Sequence, residues 1–114
     1  MSLSRDALPV PPPHPGWFLR VRILPGLGLS VSQASRELRI ARQALHWVLA
    51  STVAVSPEMA KRLAHLSCTM PHFWLGRQQQ YGLWHAEQAL ANVVGLIHAQ
   101  TFPPALQKRD RTSL

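Results

Sequence analysis

Cysteine occurs once in these 114 residues, at Cys68, so no disulfide can close within the chain and no thiolate metal cluster can be built from it. Acidic side chains are also scarce, with five Asp and Glu against twelve Lys and Arg. No acid pair, Gly-rich phosphate loop, or Ser or Cys nucleophile beside a recognisable base is present, so no catalytic residue is assigned and the chain reads as a non-enzyme. His85 and Glu87 are close in sequence, but on a helix they project about 200° apart, which argues against a dyad. The six histidines, His14, His46, His65, His72, His85 and His98, form neither an HExxH pair nor a Cys-His finger. No metal and no cofactor are expected. Long apolar runs are missing as well. The stretch from Leu45 to Val55 is broken by polar residues and falls short of the ~20 residues that cross a bilayer. Met1 to Val10 includes Arg5 and Asp6 but no apolar core of signal-peptide length, so the expected location is the cytoplasm.

What remains is a basic, moderately apolar chain. Hydrophobic residues make up 46% of it and the formal charge is +7, enough core for one small domain and an excess that favours a polyanionic partner. Eight of the twelve cations fall between Arg20 and Arg77, inside the expected fold. Residues 1–13, ending in consecutive prolines, are expected to be an extended, poorly ordered arm. A folded domain is expected over 14–98, and residues 99–114 are expected to be a flexible tail, since Pro103 and Pro104 end regular structure.

The segment from Leu29 to Ala50 is the most informative. Ala34, Leu38, Leu45, Val48 and Leu49 recur at three- and four-residue steps in two blocks, with Ile40 between them as a plug for a shared core. This pattern predicts two short helices joined by a tight connector, the form of a DNA-reading helix pair. The second helix, from about Arg42 to Ala50, turns Arg42, Gln43, His46 and Trp47 outward. A primary amide such as Gln43 can pair both ways with an adenine edge, while Arg42 suits phosphate or guanine. His46 lies one turn further on. Ser32 and Gln33, at the start of the preceding helix, are placed to clamp a phosphate.

The flanking elements also read as helices. Pro15 opens a first helix that Pro25 and Gly26 are expected to stop, with Leu19 and Ile23 inward and Arg20 outward. Ser30 or Ser32 caps the second. Ser56-Pro57-Glu58 combines an N-cap, a proline at the first helical position and an acid at the positive dipole end, starting a fourth helix lined by Met59, Leu63 and Leu66. A fifth begins at Pro71, carries Phe73, Trp74, Tyr81, Trp84 and Leu90, and is expected to reach about His98. The aromatic residues at helical spacing suit core or dimer packing better than a stacking platform for single strands. Trp17 beside Arg20 is a candidate anchor for a protein partner.

In five places this order of residues resembles the HigA and VapI type antitoxins of bacterial toxin–antitoxin operons, within the Xre or lambda-repressor-like helix-turn-helix class. The likeness spans about His14 to Leu90. It is carried by His14-Pro15-Gly16, Gly28-Leu29-Ser30, Arg42-Gln43-Ala44-Leu45-His46, Val55-Ser56-Pro57-Glu58-Met59-Ala60, and Phe73-Trp74-Leu75 followed by Tyr81-Gly82-Leu83-Trp84. The resemblance implies a compact, all-α, five-helix domain that forms a homodimer, binds a double-stranded DNA operator, and neutralises a RelE- or HigB-like ribonuclease toxin. Trp47 and Thr52 fall at positions where it implies DNA contact. The chain departs from the pattern there: Trp47 replaces a common arginine, and Ser51-Thr52 replaces a Gly-Arg or Gly-Lys pair. Arg39 stands at a turn position usually given to glycine, and Ala41 replaces a serine cap. Two alternatives stay open: an antitoxin that binds protein but has weak or lost DNA binding, and a stand-alone Xre-type regulator.

Overall fold

The computed structural model describes residues 10–104. Residues 1–9 of the expected arm and 105–114 of the expected tail lie outside them. Among the described residues every regular element is helical. The first helix, α1, runs over residues 15–27: α-helical at Pro15–Phe18, π-helical at Leu19–Ile23, and α-helical again at Leu24–Leu27. It is followed by α2 (Val31–Leu38), α3 (Arg42–Leu49), α4 (Pro57–Ser67), α5 (Pro71–Ala89) and a 3₁₀ turn at Val94–Leu96.

Pro25 and Gly26 do not stop α1. The helix passes through both and closes at Gly28, whose φ of 68° is the left-handed conformation glycine adopts at little cost. A proline inside a regular α-helix would strike the carbonyl four residues back. Here the Leu24 N–H reaches back to the Leu19 carbonyl, a wider π turn immediately before the proline that makes room for its ring.

The start of α1 explains His14-Pro15-Gly16. His14 caps the helix with its side chain, Nδ1 accepting the Gly16 N–H at 2.8 Å, and Pro15 takes a first-turn position. A Cβ on Gly16 would lie 1.8 Å from the Val48 carbonyl oxygen, so only glycine lets α1 pass this close to the end of α3. The buried His14 ring also packs edge-on against Tyr81 of α5 at 4.8 Å. The tripeptide therefore braces α3 from behind and ties it to α5.

A single core collects Leu19 and Leu24 from α1, Ala34 and Leu38 from α2, Leu45, Val48 and Leu49 from α3, Ala60 and Leu63 from α4, and Trp74 from α5. Ile40 packs against it from the connector, and Ile23, Met59 and Leu66 sit at its margin. Trp74 is fully buried, and its indole N–H donates to the Thr69 hydroxyl at 2.9 Å, which satisfies its one polar atom. Phe18 and Phe73 pack edge-on with their centroids 5.2 Å apart, and the Arg77 guanidinium lies over both rings at 4.4 and 4.5 Å.

The fifth helix ends at Ala89, well short of His98; residues 90–93 form turns instead. Residues 90–97 are all exposed and none joins the core, so the core does not support a helix there. Without that support, Asn92, Val93, Val94 and Gly95 are left to their own poor helix propensity.

Candidate nucleic-acid interface

Ser30, not Ser32, caps α2, and it does so through a reciprocal box. Its hydroxyl accepts the Gln33 N–H at 3.1 Å while the Gln33 side-chain oxygen accepts the Ser30 N–H at 2.8 Å. Gln33 thus holds the helix end with its side-chain oxygen while remaining exposed. Ser32 is half-buried beside it.

The connector between α2 and α3 turns at Arg39, which has φ 60° and ψ 45°. Without glycine at this point, the left-handed conformation costs roughly 1 kcal/mol. Ala41 caps α3 with no side-chain hydrogen bond, leaving its first amides free. Two more helix ends use left-handed residues other than glycine, Ser51 at φ 63° and Cys68 at φ 54°.

On α3 the inward side is fully taken by Leu45, Val48 and Leu49. At about 100° per residue, His46, Gln43 and Trp47 lie about 40°, 100° and 140° around the helix from Arg42. All four are exposed, Trp47 to 51%. They form one outward arc, and the buried leucines and valine occupy the opposite one. Thr52 is exposed just beyond the helix, but its hydroxyl proton is directed inward: Oγ1 and the backbone N–H both donate to the Trp47 carbonyl, at 2.9 and 3.0 Å. This clasp closes the end of α3 behind the strained Ser51. Trp17 and Arg20 are exposed on α1, and Arg20 lines one cleft with His46 of α3's outward arc.

Two supporting residues escaped sequence reasoning. The Arg62 guanidinium on α4 donates to the Leu38 carbonyl at 2.6 Å and to the Arg39 carbonyl at 3.4 Å, and it pairs with Glu58 at 3.2 Å. Gln78 on α5 accepts the Val55 N–H at 2.8 Å and holds the link that follows α3. The i,i+4 spacing of Glu58 and Arg62 signals their ion pair, but nothing local signals a reach across 24 residues to the connector.

Two short helices around a tight turn, one buried on its inner face and polar on its outer face, and both braced by three further helices, define a helix-turn-helix domain of the lambda-repressor-like type. No protein-family model matches the sequence. Virulence-associated protein A of Dichelobacter nodosus is 37% identical over 73 residues, 63% of this chain and 72% of that protein. The antitoxin GraA, in a structure with its operator, is 31% identical with a TM-score of 0.73, covering 82% of this chain and 95% of GraA. The Pseudomonas aeruginosa antitoxin HigA, in a structure with the higBA promoter, is 25% identical with a TM-score of 0.73, covering 80% of this chain and 99% of HigA. The chain belongs to the HigA-type antitoxins, within the Xre group of helix-turn-helix transcriptional regulators. That family consists of regulators, not enzymes.

Proposed function

We propose that this protein is a cytoplasmic antitoxin that binds its own operator as a homodimer, represses its operon and neutralises a RelE-like ribonuclease toxin. The observation that carries the reading is the outward arc of Arg42, Gln43, His46 and Trp47 on a helix whose opposite side is wholly buried. A helix so presented fits the major groove, where Gln43 pairs with an adenine edge, Arg42 takes phosphate or guanine, and His46 follows one turn along. Trp47 offers an indole N–H to phosphate or a ring face to a thymine methyl. The N-terminus of α2, with Ser32 and Gln33, takes a phosphate. Thr52 serves the interface by closing α3 with its clasp on the Trp47 carbonyl.

A homodimer fits the reading in two ways. It sets two α3 helices about 34 Å apart for successive major grooves. A second copy would also cover apolar side chains that stand exposed beyond α5, among them Leu90, Val93, Leu96 and Ile97. Trp17, 37% exposed beside Arg20, is the proposed anchor for the toxin. GraA and HigA, each solved with operator or promoter DNA, support DNA binding.

Fluorescence anisotropy against the chain's own upstream DNA and a scrambled duplex, across a salt series, tests repression; equal binding to both at every salt concentration overturns it. Gln43→Ala is expected to cost about 1–3 kcal/mol against the specific duplex and to relax preference at one base position. Co-expression with the neighbouring reading frame tests toxin binding, and failure to recover a complex rejects that part. The replacement of a cationic position by Trp47 favours a second reading, in which protein binding persists while DNA affinity is weak.

A further inference from the structure

Arg62 lies outside the arc that faces DNA, yet two of its contacts converge on the element that aims that arc. A helix leaves its last carbonyls without intrahelical partners. The turn at Arg39 does this to the Leu38 and Arg39 carbonyls, because the amides that would have bonded them belong to α3. Arg62 donates to both, at 2.6 and 3.4 Å, from a neighbouring helix. Glu58, one turn earlier on α4, holds the other end of the guanidinium at 3.2 Å. The connector has neither of the usual local aids: Arg39 adopts φ 60° without being glycine, and Ala41 supplies no side-chain cap.

We propose that Arg62, oriented by Glu58, is a positioning residue for DNA recognition: it holds the strained α2–α3 turn by its carbonyls and so sets the angle at which α3 meets the major groove. The inference rests on the reading of α3 as a DNA-reading helix. Its physical basis is that a charged donor on a partly shielded carbonyl is among the stronger hydrogen bonds, and that two carbonyls in succession fix an orientation where one would fix only a distance. Glu58 removes the freedom of the guanidinium to turn toward solvent. Relieving the strain at residue 39 should therefore lessen the need for Arg62.

The experiment is a double-mutant cycle on the full chain: wild type, Arg62→Met, Arg39→Gly, and the pair. Specific and scrambled duplexes are titrated at several salt concentrations. Methionine keeps an unbranched apolar stem, so the packing of that stem survives while the donors are lost. Arg62→Met is expected to weaken specific binding about tenfold, the equivalent of one charged hydrogen bond, while leaving scrambled binding nearly unchanged. The slope of log affinity against log salt stays the same, whereas loss of a phosphate contact would flatten it by about 0.9. Arg39→Gly in the Arg62→Met background is expected to restore most of the specific affinity, although it removes a second cation. Strictly additive effects in the cycle, or a salt slope flattened by one contact, overturn the proposal.

Amide hydrogen exchange at Ile40 and Leu45, whose N–H groups donate to the Ser35 and Ala41 carbonyls at 3.1 and 3.2 Å, is read on the same four proteins without DNA. Faster exchange confined to the connector in Arg62→Met, reversed by Arg39→Gly, is the expected result even if the wild type proves not to prefer its own upstream DNA. In that case the function falls and the clamp stands. Unchanged connector exchange overturns the clamp whatever the DNA result. Should Arg62→Met fold poorly, Glu58→Ala, which leaves the guanidinium but removes its anchor, is expected to weaken specific binding in the same direction by a smaller factor, and wild-type affinity in that variant rejects the role given to Glu58.

Discussion

Gly16 admits no side chain. The added methyl of Gly16→Ala would sit 1.8 Å from the Val48 carbonyl oxygen, and a backbone atom cannot rotate away as a side chain can. The variant is expected to lose about 3 kcal/mol, the upper part of the range for overpacking, as a lowered urea midpoint; an unchanged midpoint would show that α1 and α3 can separate freely. His14 beside it makes stability depend on pH. Burial holds its imidazole below the ordinary value of 6.5, a hydrogen bond to the Val53 backbone offsetting part of the effect. Its Nδ1 has to be unprotonated to accept the Gly16 N–H. The unfolded chain therefore takes up a proton at a pH where the folded chain still refuses it. The contribution is complete above 6.5, declines as the pH falls below it, and is gone once the pH passes the depressed folded value. Urea midpoints measured at about pH 8 and about pH 5 are expected to be lower at the acid end. His14→Asn, which can still cap but does not titrate, is expected to narrow that gap, and a gap of unchanged width would remove His14 as its source.

Helix ends show most clearly what local chemistry can and cannot reveal. Ser56 caps α4 as the Ser-Pro-Glu sequence predicts, accepting the Met59 N–H at 3.1 Å, because every partner lies within three residues. The missing cap at Ala41 and the left-handed turn at Arg39 were legible only through the family pattern that the chain resembles, as departures from its usual serine and glycine. Ala41→Ser is expected to add about 1 kcal/mol of stability by satisfying a first-turn amide of α3. In a domain of this size that raises the melting temperature by about 4–8 °C, measurable by circular dichroism, and no rise would mean that the amide already has a partner. The two helix ends that were misjudged depended on distant matter. A π turn makes Pro25 harmless, and it forms within a helix held down by Leu19 and Leu24 in the core. The early end of α5 goes with the exposure of residues 90–97, none of which joins the core.

The assembled domain binds DNA, in the proposed reading, with fewer cations at the recognition helix than the family pattern implies. Trp47→Arg is expected to restore one phosphate contact, raising affinity for the upstream duplex and steepening the salt dependence by about 0.9 in log–log slope; an unchanged slope would place position 47 away from the phosphates. The same change should affect scrambled DNA about equally, since phosphate contacts position and carry little sequence information.

The helix count, the burial pattern of α2 and α3, and the exposure of Arg42, Gln43, His46 and Trp47 were written in the spacing of apolar residues, because a helix repeats over a few residues and its core side is set within each turn. The supports of that surface were not. Arg62 on the connector carbonyls, Gln78 on Val55, and the approach of Gly16 to Val48 join residues separated by 23 or more positions. Such contacts exist only after the helices have docked, when carbonyls and amides stranded at helix ends must find partners wherever packing has brought them.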